Sequence, residues 1–539
     1  MGIKKLTALI LICGLLLPLA ACGNKQSKNA DKTINYNLTA EPETLDPQIA
    51  SDSPSLIAIG SIFEGLIRLD ANGNPAPGVA SSWEAGNDST EFTFHLRKDA
   101  KWTDDDGTPV TAKDFVYAFR RALDPQTGSK TCSTMFCIKN ARAVNEGKAS
   151  ADSLGVTAKD EYTLVVQLEY SYPDFPKLTA NAVFMPCNEK FFTETAGRYG
   201  IDSKYVMGNG PFCIDGKYGW EHGKYLNLKR SGSYSGTSKP LPSKVDFSIG
   251  NKSVDVSNPV AALQNGTIDA ASLSAGQASQ AKENGCTVVS FEDTTWGLCF
   301  NTQSGIMKNA NVRKAFIQAF NREKVISHLP SNILQAESMV LPSAELTGKK
   351  YLSAYGGPYY IKQSDNAAAL LAAGLKEAGA DSVGSVTVLC PDGSNANLML
   401  NEMIVSWNTA FNNYFNMEIL DSSELISRVK SGDYQLAVAP VTKTGSNALS
   451  VLSQFASGYS GNPAGFKNTG YDALLAKAEN SGGSEAIQAY ASAEKYLSDN
   501  AVFYPLYYGK HFYAMASGVS GIIFNSTQSG IDFINAGKE

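Results

Sequence analysis

The chain has 539 residues, 43% hydrophobic and 18% charged, with a net charge of −6. At roughly 150 residues per domain, this length predicts about three or four domains around a large buried core. The mild acidity excludes a surface for a phosphate backbone, so no nucleic-acid partner is expected. The 24 Tyr and 24 Phe are scattered and read as core and pocket lining.

Lys4 and Lys5 precede the apolar run Leu6 to Leu19, followed by Leu19-Ala20-Ala21-Cys22. A charged start, a short apolar middle and small residues before a cut describe a secretory signal over 1–22. The run is too short for a bilayer span of ~20 residues. Leu-Ala-Ala-Cys resembles the lipobox of bacterial lipoproteins, which makes the Cys22 thiol the lipidation site and the membrane a partner through that anchor. Residues 23–32 are polar and patternless, a flexible tether of roughly 18 Å root-mean-square span. Loss of Cys13 and lipidation of Cys22 leave an odd number of cysteines, so at least one thiol is unpaired within the chain. Cys132 and Cys137 form the candidate disulfide, with buried thiols as the alternative. No Cys-x-x-Cys spacing and only four His argue against zinc, and no cofactor is expected.

In chain order, Ile34, Tyr36 and Leu38 alternate, predicting a strand over Thr33 to Thr39. A loop over Glu41 to Pro47 leads to a short helix over Ser55 to Phe63. Phe92, Phe94 and Leu96 alternate with polar residues as a half-buried strand. Asp104 to Pro109 is a turn, and Thr111 with Asp114 makes a capping-box-like start to a helix. Phe115, Phe119 and Leu123 form its apolar face, and Asp124-Pro125 stops it. Tyr162 to Leu168 is a strand, and Gly208-Asn209-Gly210-Pro211 marks a return crossing.

Strands follow near Tyr225 to Leu228 and Lys244 to Ile249, then a helix near Val260 to Gln264. Asn311 is expected to cap a helix carrying Val312, Phe316 and Phe320 on one face, and Ser364 one over Asp365 to Ala378, closed by Gly379. Strands at Val386 to Leu389, Glu418 to Leu420 and Tyr434 to Ala439 alternate with helices at Asn397 to Phe411 and Glu424 to Lys430. That alternation predicts an α/β unit with a mixed or parallel sheet. After helices at Tyr471 to Ala478 and Glu485 to Leu497 comes a strand at Phe503 to Tyr508.

No phosphate-binding loop, zinc-protease helix or serine elbow is present. Ser427-x-x-Lys430, Lys443-Thr444-Gly445 and Ser364-Asp365-Asn366 echo penicillin-binding enzymes, but in the wrong order and spacing. The expectation is a binding protein rather than an enzyme.

The segment from Phe92 to Pro125 closely resembles the signature of the extracytoplasmic solute-binding proteins, family 5, of oligopeptide and dipeptide ABC importers. Leu45-Asp46-Pro47, Phe63 to Leu66, Pro77 to Ala80, Gly208 to Phe212 and Asn311 to Ile326 extend the likeness in the family's order. The resemblance implies an α/β, periplasmic-binding-protein-like, two-lobed fold of class II type, with mixed sheets and an extra small inserted domain. Lobe I comprises 33–69, 206–291 and 503–539, the insert 70–205, and lobe III 292–502. It further implies a monomer that captures oligopeptides between lobes for an ABC permease and its ATPase subunits. Another solute such as an oligosaccharide, or a non-transporting signalling or adhesion role, are the rival readings.

Relatives pair the ligand's α-ammonium with an Asp after a third-lobe strand; ungapped alignment puts Thr444 there and Val441 at a neighbouring Trp. Val441, Thr442, Lys443, Thr444 and Tyr507 are therefore candidate ligand contacts, as are Ser51 and Asp52 in the first lobe. With Thr444 in place of the acid, Asp52 or Glu64 would have to supply the charge for a free amino terminus.

Overall fold

The computed structural model describes residues 33–104, 106–250, 255–346, 349–443, 449–459, 461–479, 481, 483–525 and 530–539. Cys22 and Thr444 lie outside the described residues. Among the described residues, no helix is long and apolar enough to cross a membrane.

A mixed sheet runs through most of the chain. Its strand order is Asn416–Leu420, Thr387–Pro391, Leu436–Thr442, Thr287–Phe300, Phe503–Met515, Ala270–Leu273, Thr33–Asn37, Lys244–Ser248, Tyr225–Arg230 and Phe212–Ile214, with Trp220–Glu221 branching from Tyr225–Arg230. The two central strands are antiparallel to each other and far longer than their neighbours, at 14 and 13 residues. A second, four-stranded antiparallel sheet joins Ala80–Ala85, Glu91–Leu96, Thr163–Gln167 and Val156–Asp160.

The apolar cores divide along the two long strands. One core gathers Ile34, Tyr36, Phe94, Phe119, Phe247, Phe512 and Phe533. Beyond Trp296 the sheet has two buried faces. Ala437, Val441, Phe455 and Phe503 pack on one, and Phe300, Phe316, Trp407, Val438 and Leu506 on the other. Successive strand residues point to opposite faces, which is why Val438 and Val441 part company. Between Phe291 and Trp296, and between Tyr508 and Phe512, the long strands carry Glu292, Asp293, Thr294, Thr295, Gly509, Lys510 and His511. This polar waist falls between the cores. Phe503 lies in the core beyond the waist, so the return strand rejoins the first core only at Phe512.

The signature unit forms as its pattern predicts. Phe92, Phe94, Phe115, Phe119 and Leu123 are buried, and each such side chain contributes ~1.5–3 kcal/mol relative to exposure. Asp114 Oδ2 accepts from the Thr111 amide at 2.7 Å and its hydroxyl at 3.0 Å, starting the helix Ala112–Leu123. Burial holds the Asp114 carboxyl up at about 6.

Several boundaries differ from expectation. The first strand stops at Asn37, because Thr39 adopts a left-handed φ of 62°. The helix Ala310–Gln318 is capped by Asn309, whose Oδ1 accepts from the amides of Asn311 and Val312, while Asn311 sits inside and donates to Glu377. Asn366, with Ser364 Oγ accepting from its amide, precedes the helix Ala367–Ala378. No disulfide joins Cys132 and Cys137, contrary to expectation. A 3-10 turn over Cys132–Met135 turns the two thiols to different neighbours, Cys137 Sγ lying 3.9 Å from Thr134 O.

The remaining shared motifs are wiring between the two sheets. Asp46 and Arg121 form a buried two-pronged ion pair, with one contact at 2.9 Å, and Arg121 also donates to Gln48 Oε1 at 2.8 Å. Glu64 takes Arg97 at 2.8 Å, Arg68 at 3.2 Å and the Tyr234 hydroxyl at 2.5 Å, and Arg68 bridges on to Asp532. Asn209 grips the Glu64 backbone from both sides, accepting at 3.0 Å and donating at 2.9 Å. A Cβ on Gly208 would lie 2.2 Å from Ile62 O, so that close approach requires glycine.

Candidate functional site

The waist is where a ligand could be gripped from two sides. Glu292 stands opposite Lys510 and Thr294 opposite Gly509, which leaves Asp293 as the extra residue of a bulge. Asp293 Oδ1 accepts from Thr294 Oγ1 at 2.9 Å, and Oδ2 lies 3.2 Å from His511 Nδ1. Glu292 lies 3.4 Å from Lys510 Nζ. On its other edge the Asp293 carbonyl accepts from the Lys443 amide at 2.8 Å, continuing the ladder that pairs Thr294 with Thr442. Thr294 and Thr442 share a hydroxyl contact at 3.0 Å, and Gln454 Nε2 donates to Thr442 O at 2.8 Å. The strand Leu436–Thr442 thus ends at the waist and delivers Thr442 and Lys443 to it.

Burial holds the Lys443 ammonium below the usual lysine range. The Asp293 carboxylate opposes that shift, and the charge of Lys177 adds to it. Lys177 comes from the small four-stranded domain, on the short helix Phe175–Leu178. Just before it, Tyr170, Tyr172 and Pro173 form one wall of a crevice whose other wall is Leu346, Ala478, Ala486 and Tyr490. The small domain therefore reaches across to the segment beyond the waist.

The expected site residues separate into two groups. Thr442 and Lys443 reach the waist. Val441, 1% exposed, faces a core instead, because the strand continues three residues past the predicted end, to Thr442. Half-buried Tyr507 stacks on Trp296 at 6.1 Å and packs on the opposite core. Ser51 is exposed, and Asp52 caps the helix Ser53–Ile62 by accepting from Ser55 N at 2.9 Å. Glu64 is engaged by two arginines and a tyrosine, which removes it as a ligand acid. Asp293 and Lys177 were missed. The acidic pair Glu292-Asp293, facing Lys510-His511, was the available signal for the first; nothing local marks the second.

A mixed sheet carried from one core to the next by two crossing strands, with a small domain docked beside it, defines a two-lobed binding protein of the periplasmic-binding-protein type. Residues 74–463 match the bacterial extracellular solute-binding proteins, family 5. The chain belongs to that family. It is 26% identical to the dipeptide-binding protein DppE of Bacillus subtilis (strain 168), over 97% of both chains. The substrate-binding domain of an oligopeptide ABC transporter from Bacillus anthracis superposes with a TM-score of 0.76 at 27% identity, covering 94% of this chain and 99% of that one. Listeria monocytogenes OppA bound to peptide gives a TM-score of 0.76 at 25% identity, with the same coverage.

Proposed function

We propose that this chain is the peptide-binding component of an ABC importer, held outside the cytoplasm by lipid on Cys22, and that it delivers peptide to a permease and its ATPase subunits. The carrying observation is the polar waist, where two strands link separate cores without a core of their own. Such a link bends at low cost, and a ligand touching both sides stabilises the closed form. In this reading lobe I comprises 33–69, 206–291 and the chain from about Phe512, with 70–205 as the insert and the rest as lobe III. The names of the relatives support a peptide. Every peptide residue offers a backbone donor and acceptor, so strand-like pairing with the cleft walls holds varied sequences. The protein acts as a carrier, without covalent chemistry.

The test is thermal melting and small-angle scattering with a mixture of di- to octapeptides. Ligand at 100 times Kd should add about 2.7 kcal/mol of stability, with a smaller radius of gyration. No shift in Tm at millimolar peptide would overturn the reading. Stabilisation without compaction would remove the hinge and leave the binding.

A further inference from the structure

We infer that the inserted small domain is a latch on the cleft, its loop Tyr170 to Pro173 seating on Leu346, Ala478 and Tyr490 when the lobes close. This deepens the peptide reading and rests on it for the closing motion. The small domain travels with the first lobe. Tyr172, Phe94 and Phe119 share one core with Ile34 and Phe247, and the Asp46–Arg121 and Glu64–Arg97 pairs tie the two together. Leu346, Ala478 and Tyr490 belong to a core beyond the waist. Tyr170, Tyr172 and Pro173 nevertheless form one wall of a crevice whose other wall contains those three residues. The space between the walls is about 10 Å³, room for no more than about one water. Two separately packed bodies therefore meet face to face, through residues outside the two strands that join them.

Tyr170 stacks on Tyr172 with ring centres 6.3 Å apart, so the two rings present one surface. Tyr170 is half-buried, and Tyr172, Leu346, Ala478 and Tyr490 are buried. Bending at the waist carries one core away from the other and returns part of this surface to water, at a cost proportional to the apolar area exposed. The contact needs no ligand, so it favours the closed form in empty and loaded protein alike. A closed form favoured in advance lowers what the ligand must supply to reach it. Affinity therefore rises for every peptide, whatever its sequence. Release requires the walls to part first, so the gain is expressed mainly as a slower off-rate.

Calorimetry and stopped-flow fluorescence would follow Ala-Ala-Ala-Ala on wild type, Tyr170→Ala, Leu346→Ala and the double variant, with small-angle scattering of each without peptide. Tyr170 is half-buried on a loop, so truncating it empties no core. Returning about a third of a tyrosine's surface to water should weaken binding roughly 10- to 30-fold. The loss should appear mostly as faster dissociation, and the empty variant should have a larger radius of gyration than empty wild type. Because both residues serve one contact, the double variant should bind no more than about threefold weaker than the weaker single variant. Tyr170→Asp, whose charge closure forces out of water, should weaken binding at least as much as Tyr170→Ala and keeps the test decisive if Leu346→Ala fails to fold. Affinity within about twofold of wild type in both Tyr170 variants overturns the latch and leaves peptide binding intact, as do single losses that multiply in the double variant. If neither Ala-Ala-Ala-Ala nor the mixture of di- to octapeptides binds wild type, the peptide reading falls. An unchanged radius of gyration in empty Tyr170→Ala then overturns the latch as well.

Discussion

Removing the guanidinium of Arg121 should loosen the small domain from the first lobe. Arg121 and Asp46 side chains are 9% and 4% exposed, so Arg121→Met leaves a buried carboxylate with little beyond the Gln48 amide at 3.0 Å. Breaking one side of a buried pair costs about 3–5 kcal/mol. The methionine also forfeits the cation stacked 4.4 Å from the Phe192 ring centre. At roughly 2–4 °C per kcal/mol for a domain of this size, the melting temperature should fall by about 6–20 °C. Circular dichroism melts would measure it, with Arg121→Met/Asp46→Asn as the second arm. Most of the penalty is the stranded charge, so neutralising Asp46 should recover at least half of the loss. A single variant melting within about 2 °C of wild type refutes the reasoning. A double variant no better than the single one shows that packing, and not charge, ties the domains together.

Asp114 gives a pH dependence of definite sign. Its folded carboxyl sits at about 6 against 3.8 when unfolded, so the native state binds the proton more tightly and its contribution is full below about pH 4 and lost as pH rises through about 6. Two units correspond to about 3 kcal/mol, and Asp114→Asn should flatten that part of the difference between urea unfolding at pH 4 and pH 7; an unchanged difference would contradict it. Gly297→Ala puts a Cβ 2.3 Å from Tyr504 O, a clash against backbone that should cost ~1–3 kcal/mol or more. Gly276→Ala, with nothing within 4 Å, serves as the benign control in the same denaturation assay. Cys22→Ser should move the protein from the membrane fraction to the soluble fraction on immunoblots, and full retention would exclude the lipid anchor.

The legible parts of the sequence were those whose cause is local. A capping acid at Asp114 and apolar residues four apart set the signature helix by themselves. The long crossing strands escaped because Glu292-Asp293 and Gly509-Lys510-His511 break the alternation of apolar residues, and that break is itself the waist. Ungapped alignment placed Val441 at a ligand position, but the strand Leu436–Thr442 runs on through it and turns its side chain into a core. Asn309 and Asn311 offer the same capping chemistry two residues apart, so only the backbone path decides between them. The charge of Lys177 acts on Lys443 from more than two hundred residues away in sequence, a relation that no short pattern encodes.

The first core has a consequence for the order of folding. Tyr36 packs against Phe533 at 5.7 Å, and Ala270–Leu273 pairs with the far end of Phe503–Met515. During synthesis this core stays open until residues near 512–533 have been made, whereas the α/β segment beyond Trp296 draws on partners closer in sequence. Contacts so distant close slowly, because the entropy of a long loop is lost before its contacts form. The nascent chain therefore leaves this core incomplete until its last strand and the residues after it have been made, although Thr33–Asn37 already has a partner in Lys244–Ser248. A chain whose first core is still open is more easily held unfolded than one whose core has already closed.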